Sequence, residues 1–132
     1  MRPKQGVLLD THTLLWALND SHRLSRRLAN IISSETQVFY SAVSVAELSI
    51  KSTLGKFQLA ESLLEDLAAA RYEELPLNAR SASQMNRFPG LLRHDPFDRM
   101  LVAQAATHKL YFETADTTLL SLNLPGVRDA RA

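Results

Sequence analysis

Four acidic residues follow the ends of predicted strands, or begin the helices after them, in four separate stretches of the chain. Asp10 comes directly after a short apolar run, and Asp116 comes two residues after the stretch LYFET. Glu47 and Asp98 lie where the sequence predicts the first turn of a helix. Carboxylates that converge without a cation repel one another, and some would then take up protons. If these four meet, they are suited to binding a divalent metal ion for phosphodiester hydrolysis.

The elements that would position these acids alternate between strands and helices. Short apolar or β-branched runs predict strands at residues 6–9, 38–42 and 109–114, an extended segment at 72–77 and a last edge strand from Val127. Helical spacing and capping residues predict helices at 11–18, 24–32, 44–54, 59–70, 78–86 and 95–108, and a short one after Asp116. This alternation predicts a single α/β domain over residues 1–132 with a mainly parallel sheet.

A parallel sheet brings the four acids to one edge. The carboxyl ends of its strands and the starts of the following helices lie along the same rim, where ligands of such folds bind. The chain has four glycines, none in a phosphate-binding glycine-rich turn. We therefore expect a site that binds metal first and phosphate through the metal.

Composition limits the metal and the compartment. The chain has 132 residues, 45% of them hydrophobic, and no cysteine, so thiolate sites and disulfides are excluded. Carboxylate ligands favour Mg²⁺ or Mn²⁺. No apolar run approaches the roughly 20 residues that span a bilayer, and the charged Asp10 interrupts the first apolar run too early for a secretory signal. We expect a cytoplasmic protein without a membrane partner.

Each acid except Asp10 also has a purely structural explanation. Ser44-x-x-Glu47 is a capping-box pattern, so helix capping alone would explain Glu47. Asp95 would be the N-cap before Pro96. An acid at position 98 would then lie in the first turn of the helix, where it interacts favourably with the helix dipole. Asp116 would cap the short helix after it. Asp10 is harder to explain this way, because a carboxylate next to a buried strand needs a partner.

Several other polar residues are candidates for supporting roles. His12 and His94 lie close in sequence to the acids and could contact substrate. Ser41 and Thr114 end predicted strands, so their hydroxyls could orient the carboxylates. Trp16 is predicted to pack in a core or a subunit interface, with stacking on a base as the alternative.

The net charge of +1 says little about nucleic acid by itself. Once four carboxylates are assigned to metal, the remaining surface is basic and could steer a polyanion. Arg99, next to Asp98, could contact substrate directly. The other basic candidates are His22, Arg23, Arg26, Arg27, Lys51, Lys56, Arg87 and Arg93.

The acidic segments resemble those of the PIN-domain ribonucleases, and within them the VapC-type toxins of bacterial toxin–antitoxin systems. The matching segments are LLDTHTLLWAL, SAVSVAELSIKSTLGK, RHDPFDRMLVAQA and LYFETADTTLL, in family order. The resemblance implies an α/β/α sandwich and a Mg²⁺- or Mn²⁺-dependent endoribonuclease acting on structured RNA such as tRNA or rRNA. It carries the family's acids onto Asp10, Glu47, Asp98 and Asp116. It matches Asp95 to an additional acid that orients the site or caps the helix.

The resemblance also implies partners, and it leaves two other functions open. Members of the family typically form homodimers, and a cognate antitoxin covers the active-site groove. Thr13 and Ala46 depart from the family pattern without touching the acids, and the C-terminal PGVRDARA lacks the expected apolar finish. A non-catalytic module that grips RNA or protein is one alternative. A metal nuclease acting on DNA or in housekeeping RNA processing is the other.

Overall fold

The chain folds around a five-stranded parallel sheet. The structure is a computed structural model that describes residues 5–56, 58–91 and 95–132. Its strands are β1 (Val7–Leu9), β2 (Val38–Ser41), β3 (Glu73–Leu75), β4 (Tyr111–Thr114) and β5 (Val127–Asp129). The strand order is β3-β2-β1-β4-β5, and every neighbouring pair is parallel. The predicted mainly parallel α/β sheet is confirmed.

Seven α-helices accompany the sheet in the described part of the chain. They are α1 (Thr11–Asn19), α2 (Arg26–Ile32), α3 (Ala42–Thr53), α4 (Leu63–Ala69), α5 (Ala79–Ser83), α6 (Pro96–Thr107) and α7 (Thr117–Ser121). Short 3-10 turns lie at Ser21–Arg23, Gln84–Arg87 and Pro89–Leu91. None of the described helices is long and apolar enough to cross a membrane.

Alternating side chains of the strands build one core on each face of the sheet. Val7 and Leu9 of β1 pack with Leu14 of α1 in the first core. Leu8, between them in sequence, packs on the other face with Leu101 of α6 in the second core. This period-two alternation places helices on both faces of the sheet and gives the α/β/α sandwich.

Helix α3 begins earlier than predicted. Ser41 is its N-cap and accepts a hydrogen bond from the N–H of Val43, so the helix starts at Ala42 instead of Ser44. Glu47 therefore lies in the second turn, and the predicted capping box is wrong. The C-terminal stop is confirmed: Gly55, at φ 74°, and Lys56 donate to the carbonyls of Ser52 and Lys51 in a Schellman arrangement.

Two other boundaries differ for local reasons. Helix α4 begins at Leu63, four residues later than predicted, because the chain first turns with the N–H of Leu63 donating to the carbonyl of Ala60. Strand β4 begins at Tyr111 because Lys109, at φ 55°, still belongs to the stop of α6. The N–H of Leu110 completes that stop by donating to the carbonyl of Ala105.

A buried ion-pair cluster holds the last strand, β5, to the sheet. The Glu113 carboxylate is fully buried in β4, and Arg27 of α2 binds it through two hydrogen bonds of 2.8 and 3.0 Å. Arg128, the register partner of Glu113 on β5, donates to Glu113 Oε2 at 2.7 Å and stacks 3.8 Å from the ring centroid of Tyr111. The edge strand predicted from Val127 is confirmed, and these contacts hold it although its segment lacks the expected apolar finish.

Candidate active site

An acidic cleft of about 300 Å³ opens where β1 and β4 end and α6 begins. The five predicted acids all line it, together with six other residues. The full lining is Asp10, Thr11, His12, Trp16, Glu47, Lys51, Asp95, Asp98, Ala115, Asp116 and Arg131. The parallel sheet thus brings to one place carboxylates that are far apart in sequence.

Asp10 is the most deeply placed of these acids. Its side chain lies at the end of β1, 5% exposed, and also caps α1. Oδ1 accepts a hydrogen bond of 2.8 Å from the N–H of Thr13, and Oδ2 accepts one of 2.5 Å from the hydroxyl of Thr114. Burial raises the pKa of Asp10, and these hydrogen bonds and the nearby His12 oppose that rise only in part.

The hydroxyl of Thr114 joins two of the acids. It donates to Asp10 and accepts a 3.0 Å hydrogen bond from the N–H of Asp116. Asp116 Oδ1 in turn accepts from the N–H groups of Thr118 and Leu119, so this acid caps α7 while lining the cleft. The capping explanation and a role in the site therefore coexist at Asp116.

Capping and a position in the cleft also coexist at the start of α6. Asp95 is the N-cap and accepts a 2.8 Å hydrogen bond from the N–H of Phe97, with Pro96 in the first helical position. Asp98 lies in the first turn of α6 and is half-buried. Both acids line the cleft. The helix start therefore directs two carboxylates towards the end of β1.

Glu47 is held by neighbours on both of its oxygens. Oε1 accepts a 2.7 Å hydrogen bond from the hydroxyl of Thr11, which also lies 2.9 Å from the hydroxyl of Ser44. Oε2 accepts a 2.7 Å hydrogen bond from the ammonium of Lys51, one helical turn further along α3. The bond to Glu47 raises the pKa of Lys51, and Asp95 and Asp98 add to that effect.

The donor chemistry of the cleft fits a hard divalent cation. All five acids offer carboxylate oxygens, and a cation beside Asp10 would offset the desolvation of that buried carboxylate. In residues 5–56, 58–91 and 95–132, however, no three acidic or imidazole side chains already form a metal-ligating group. The acids share a cleft without being gathered around one point, and Lys51 supplies positive charge at Glu47.

Other predicted site residues are distributed differently. His12 is exposed and lines the cleft. Arg99 is half-buried on α6, with no hydrogen-bond partner for its Nε in the described part of the chain. Ser41 was also predicted to orient the carboxylates, but it caps α3 and donates to the side chain of Gln104. Of the two predicted hydroxyls, Thr114 is the one that contacts the acids of the cleft. His94 and Arg93 lie outside the described residues.

The roles of three basic residues, two of them in the cleft, were missed from sequence. Lys51 and Arg27 were counted as free basic surface, whereas Lys51 pairs with Glu47 and Arg27 with Glu113. The Glu-to-Lys spacing of four on a predicted helix was a usable signal for the first pair. Arg131 had no such signal, because only the position of β5 brings the C-terminal residues to the cleft.

The match to known proteins agrees with this geometry. The family model of the PIN domain matches residues 7–123, which is most of the chain. The chain belongs to the PIN-domain family. The resemblance that the four acidic segments indicated is thereby confirmed.

Individual PIN-domain relatives are similar over nearly the whole chain. Ribonuclease VapC22 of Mycobacterium tuberculosis is 28% identical over 121 residues, covering 90% of this chain and 93% of its own. A toxin–antitoxin complex from Klebsiella pneumoniae aligns with a TM-score of 0.65 at 16% identity, over 95% of this chain and 98% of the other. VapBC2 from Rickettsia felis, bound to a promoter DNA fragment, aligns at 0.64 and 17%, over 92% and 94%. These likenesses support the PIN fold.

Proposed function

We propose that this protein is the toxin of a type II toxin–antitoxin system and acts as a Mg²⁺- or Mn²⁺-dependent endoribonuclease. One observation carries the nuclease part of the proposal: the carboxylates of Asp10, Asp98 and Asp116 line one cleft at the ends of β1 and β4. The relative named a ribonuclease supports RNA as the substrate. Structured RNA such as tRNA or rRNA is the substrate class that the resemblance implies.

The role that we propose for each acid follows from its contacts. Asp10, Asp98 and Asp116 would hold the metal, with Asp10 and Asp116 kept in place through Thr114. A divalent ion held there would lower the pKa of a bound water and neutralise charge that develops on the phosphate. Glu47 would complete the site or orient the attacking water. Attack by water instead of the ribose 2′-hydroxyl leaves a 5′-phosphate and a 3′-hydroxyl.

The decisive test is cleavage of total tRNA and rRNA by purified protein, with Mg²⁺, with Mn²⁺ and with EDTA. The wild type should cleave at discrete positions only with metal, and Asp98→Asn should be inactive with an unchanged circular dichroism spectrum. Glu47→Gln should lower the rate strongly, whereas Glu65→Gln should not, because Glu65 is an exposed glutamate of α4. Wild-type cleavage by folded Asp98→Asn would refute the assignment of the acids.

Partners are part of the same proposal. Toxin–antitoxin complexes among the structural neighbours support a cognate antitoxin. Co-expression with the product of a small adjacent gene should yield a stable complex and suppress cleavage. The homodimer that the resemblance implies is checked by light scattering of the purified chain. A monomer at micromolar concentration would contradict it.

One observation favours the alternative of a non-catalytic binding module. Lys51 pairs with Glu47 at 2.7 Å, so a cation of the chain itself already neutralises one of the acids. A non-catalytic module predicts no heat of Mn²⁺ binding near neutral pH. The proposed nuclease predicts binding that Asp10→Asn abolishes and Glu65→Gln preserves.

A further inference from the structure

A second groove adjoins the acidic cleft, and the proposed function does not use it. This side groove, of about 400 Å³, is lined by Leu15, Trp16, Arg23, Gln58, Leu59 and Leu63, among others. It shares His12 and Trp16 with the acidic cleft, so the two run into each other along α1. A group bound in the side groove would lie next to whatever occupies the cleft.

The chemistry of the side groove differs from that of the cleft. Half of its lining residues are apolar, and the Trp16 indole is half-buried with the guanidinium carbon of Arg23 5.7 Å from its ring centroid. Asn19, Asp20 and Gln58 add amide and carboxylate groups around this aromatic wall. An aromatic face beside an arginine and several hydrogen-bonding side chains suits a flat, polar-edged ring.

The acids of the side groove argue against a phosphate there. Asp20 lies 3.9 Å from Arg23, so the guanidinium charge is partly neutralised, and Asp66 accepts a 3.0 Å hydrogen bond from Ser62. These carboxylates would repel a phosphate, and Arg23, already paired with Asp20, would not offset that repulsion in full. A nucleobase carries no charge, and its Watson–Crick edge offers donors and acceptors to amides and carboxylates.

We infer that the side groove binds an unpaired base of the RNA, stacked on Trp16 with Arg23 beside it, next to the phosphodiester held in the acidic cleft. The inference rests on the proposed function, since it places the base beside the bond that is cut. It assigns Trp16 and Arg23 to substrate positioning. It also implies that the RNA is cut in a single-stranded loop or end, where a base can leave its stack.

Fluorescence gives a readout that does not need cleavage, because Trp16 is the only tryptophan of the chain. Short single-stranded 2′-O-methyl oligonucleotides, titrated in EDTA, should quench its emission saturably. An abasic oligonucleotide of the same length carries the same phosphates. Its dissociation constant, measured by the same quenching, should be at least about 5-fold higher, the lower limit expected for loss of one stacked base. Equal quenching by both would overturn base binding.

Variants test the contribution of the Trp16 ring and that of the Arg23 charge separately. Arg23→Gln should weaken the quenching by the base-bearing oligonucleotide, whereas Arg80→Gln, at an exposed arginine of α5, should not. Trp16→Leu should lower kcat/KM for RNA about 5- to 150-fold, the range measured for loss of one stacked base, and Trp16→Phe should restore most of it. If Trp16→Leu failed to fold, the quenching titration of Arg23→Gln against that of Arg80→Gln would still decide.

The outcomes distinguish this inference from the proposed function. Base-dependent quenching without metal-dependent cleavage would retain the base site and reject the nuclease. Cleavage that Trp16→Leu leaves unchanged, without any quenching, would retain the nuclease and reject the base site.

Discussion

Replacing Arg27 by methionine removes the guanidinium that binds the fully buried carboxylate of Glu113. Arg27 donates two hydrogen bonds to that carboxylate, at 2.8 and 3.0 Å, and two more to the carbonyls of Asp129 and Ala132. Methionine keeps the length and the apolar stem of the side chain but provides no donor. Among the residues that the structure describes, Arg128 is then the remaining cation at the buried carboxylate.

The expected cost follows from leaving a buried charge half-paired. Removing one partner of a buried ion pair costs about 3–5 kcal/mol, and the remaining Arg128 places this case at about 3 kcal/mol. With a urea m value of about 2 kcal/mol per molar, the unfolding midpoint should fall by about 1.5 M. Loss of the carbonyl contacts should also loosen β5 and the residues after it.

The matched control is Arg26→Met, one residue earlier in α2. Arg26 is exposed, so its replacement should change the unfolding free energy by no more than about 0.5 kcal/mol. Urea denaturation followed by circular dichroism measures both variants. If Arg27→Met unfolded within about 0.5 kcal/mol of Arg26→Met, the cluster at Glu113 would not be what holds β5 to the sheet.

Further predictions concern the cleft and the end of α3. Because burial raises the pKa of Asp10, the folded chain binds this proton more tightly than the unfolded chain, and stability is lost as pH rises from about 3.9 through the folded pKa. Asp10→Asn should thus be more stable than metal-free wild type at pH 7 in urea, and the gain should shrink towards pH 4; an undiminished gain would contradict it. Thr114→Val should lower the cleavage rate about 10- to 100-fold with the fold intact, and Thr114→Ser should restore it, because the lost donor orients Asp10. Lys51→Met should tighten Mn²⁺ binding in calorimetry by freeing Glu47 Oε2, and weaker binding would show that Lys51 supports the site. Gly55→Ala should cost about 1 kcal/mol in thermal unfolding, because φ is 74° there.

Much of the fold was predictable because its signals are local. The apolar run before Asp10, the Asp95-Pro96 helix start and the stop at Gly55 each depend on a few neighbouring residues, and all three are present in the structure. Boundaries were less predictable, since Ser41 and Ser44 are equally good caps by type. Only the end of β2 decides that Ser41 is used.

The sequence by itself determined the alternation of strands and helices, and so the edge of the sheet at which the acids would meet. The tertiary structure alone decided the pairings between residues that are far apart in sequence. It brought Thr11 to Glu47, joined Asp10 to Thr114 and buried Glu113 between two arginines. The physical reason is range: hydrophobic periodicity acts between near neighbours, whereas a buried charge is satisfied by whichever partner the folded chain brings within hydrogen-bonding distance.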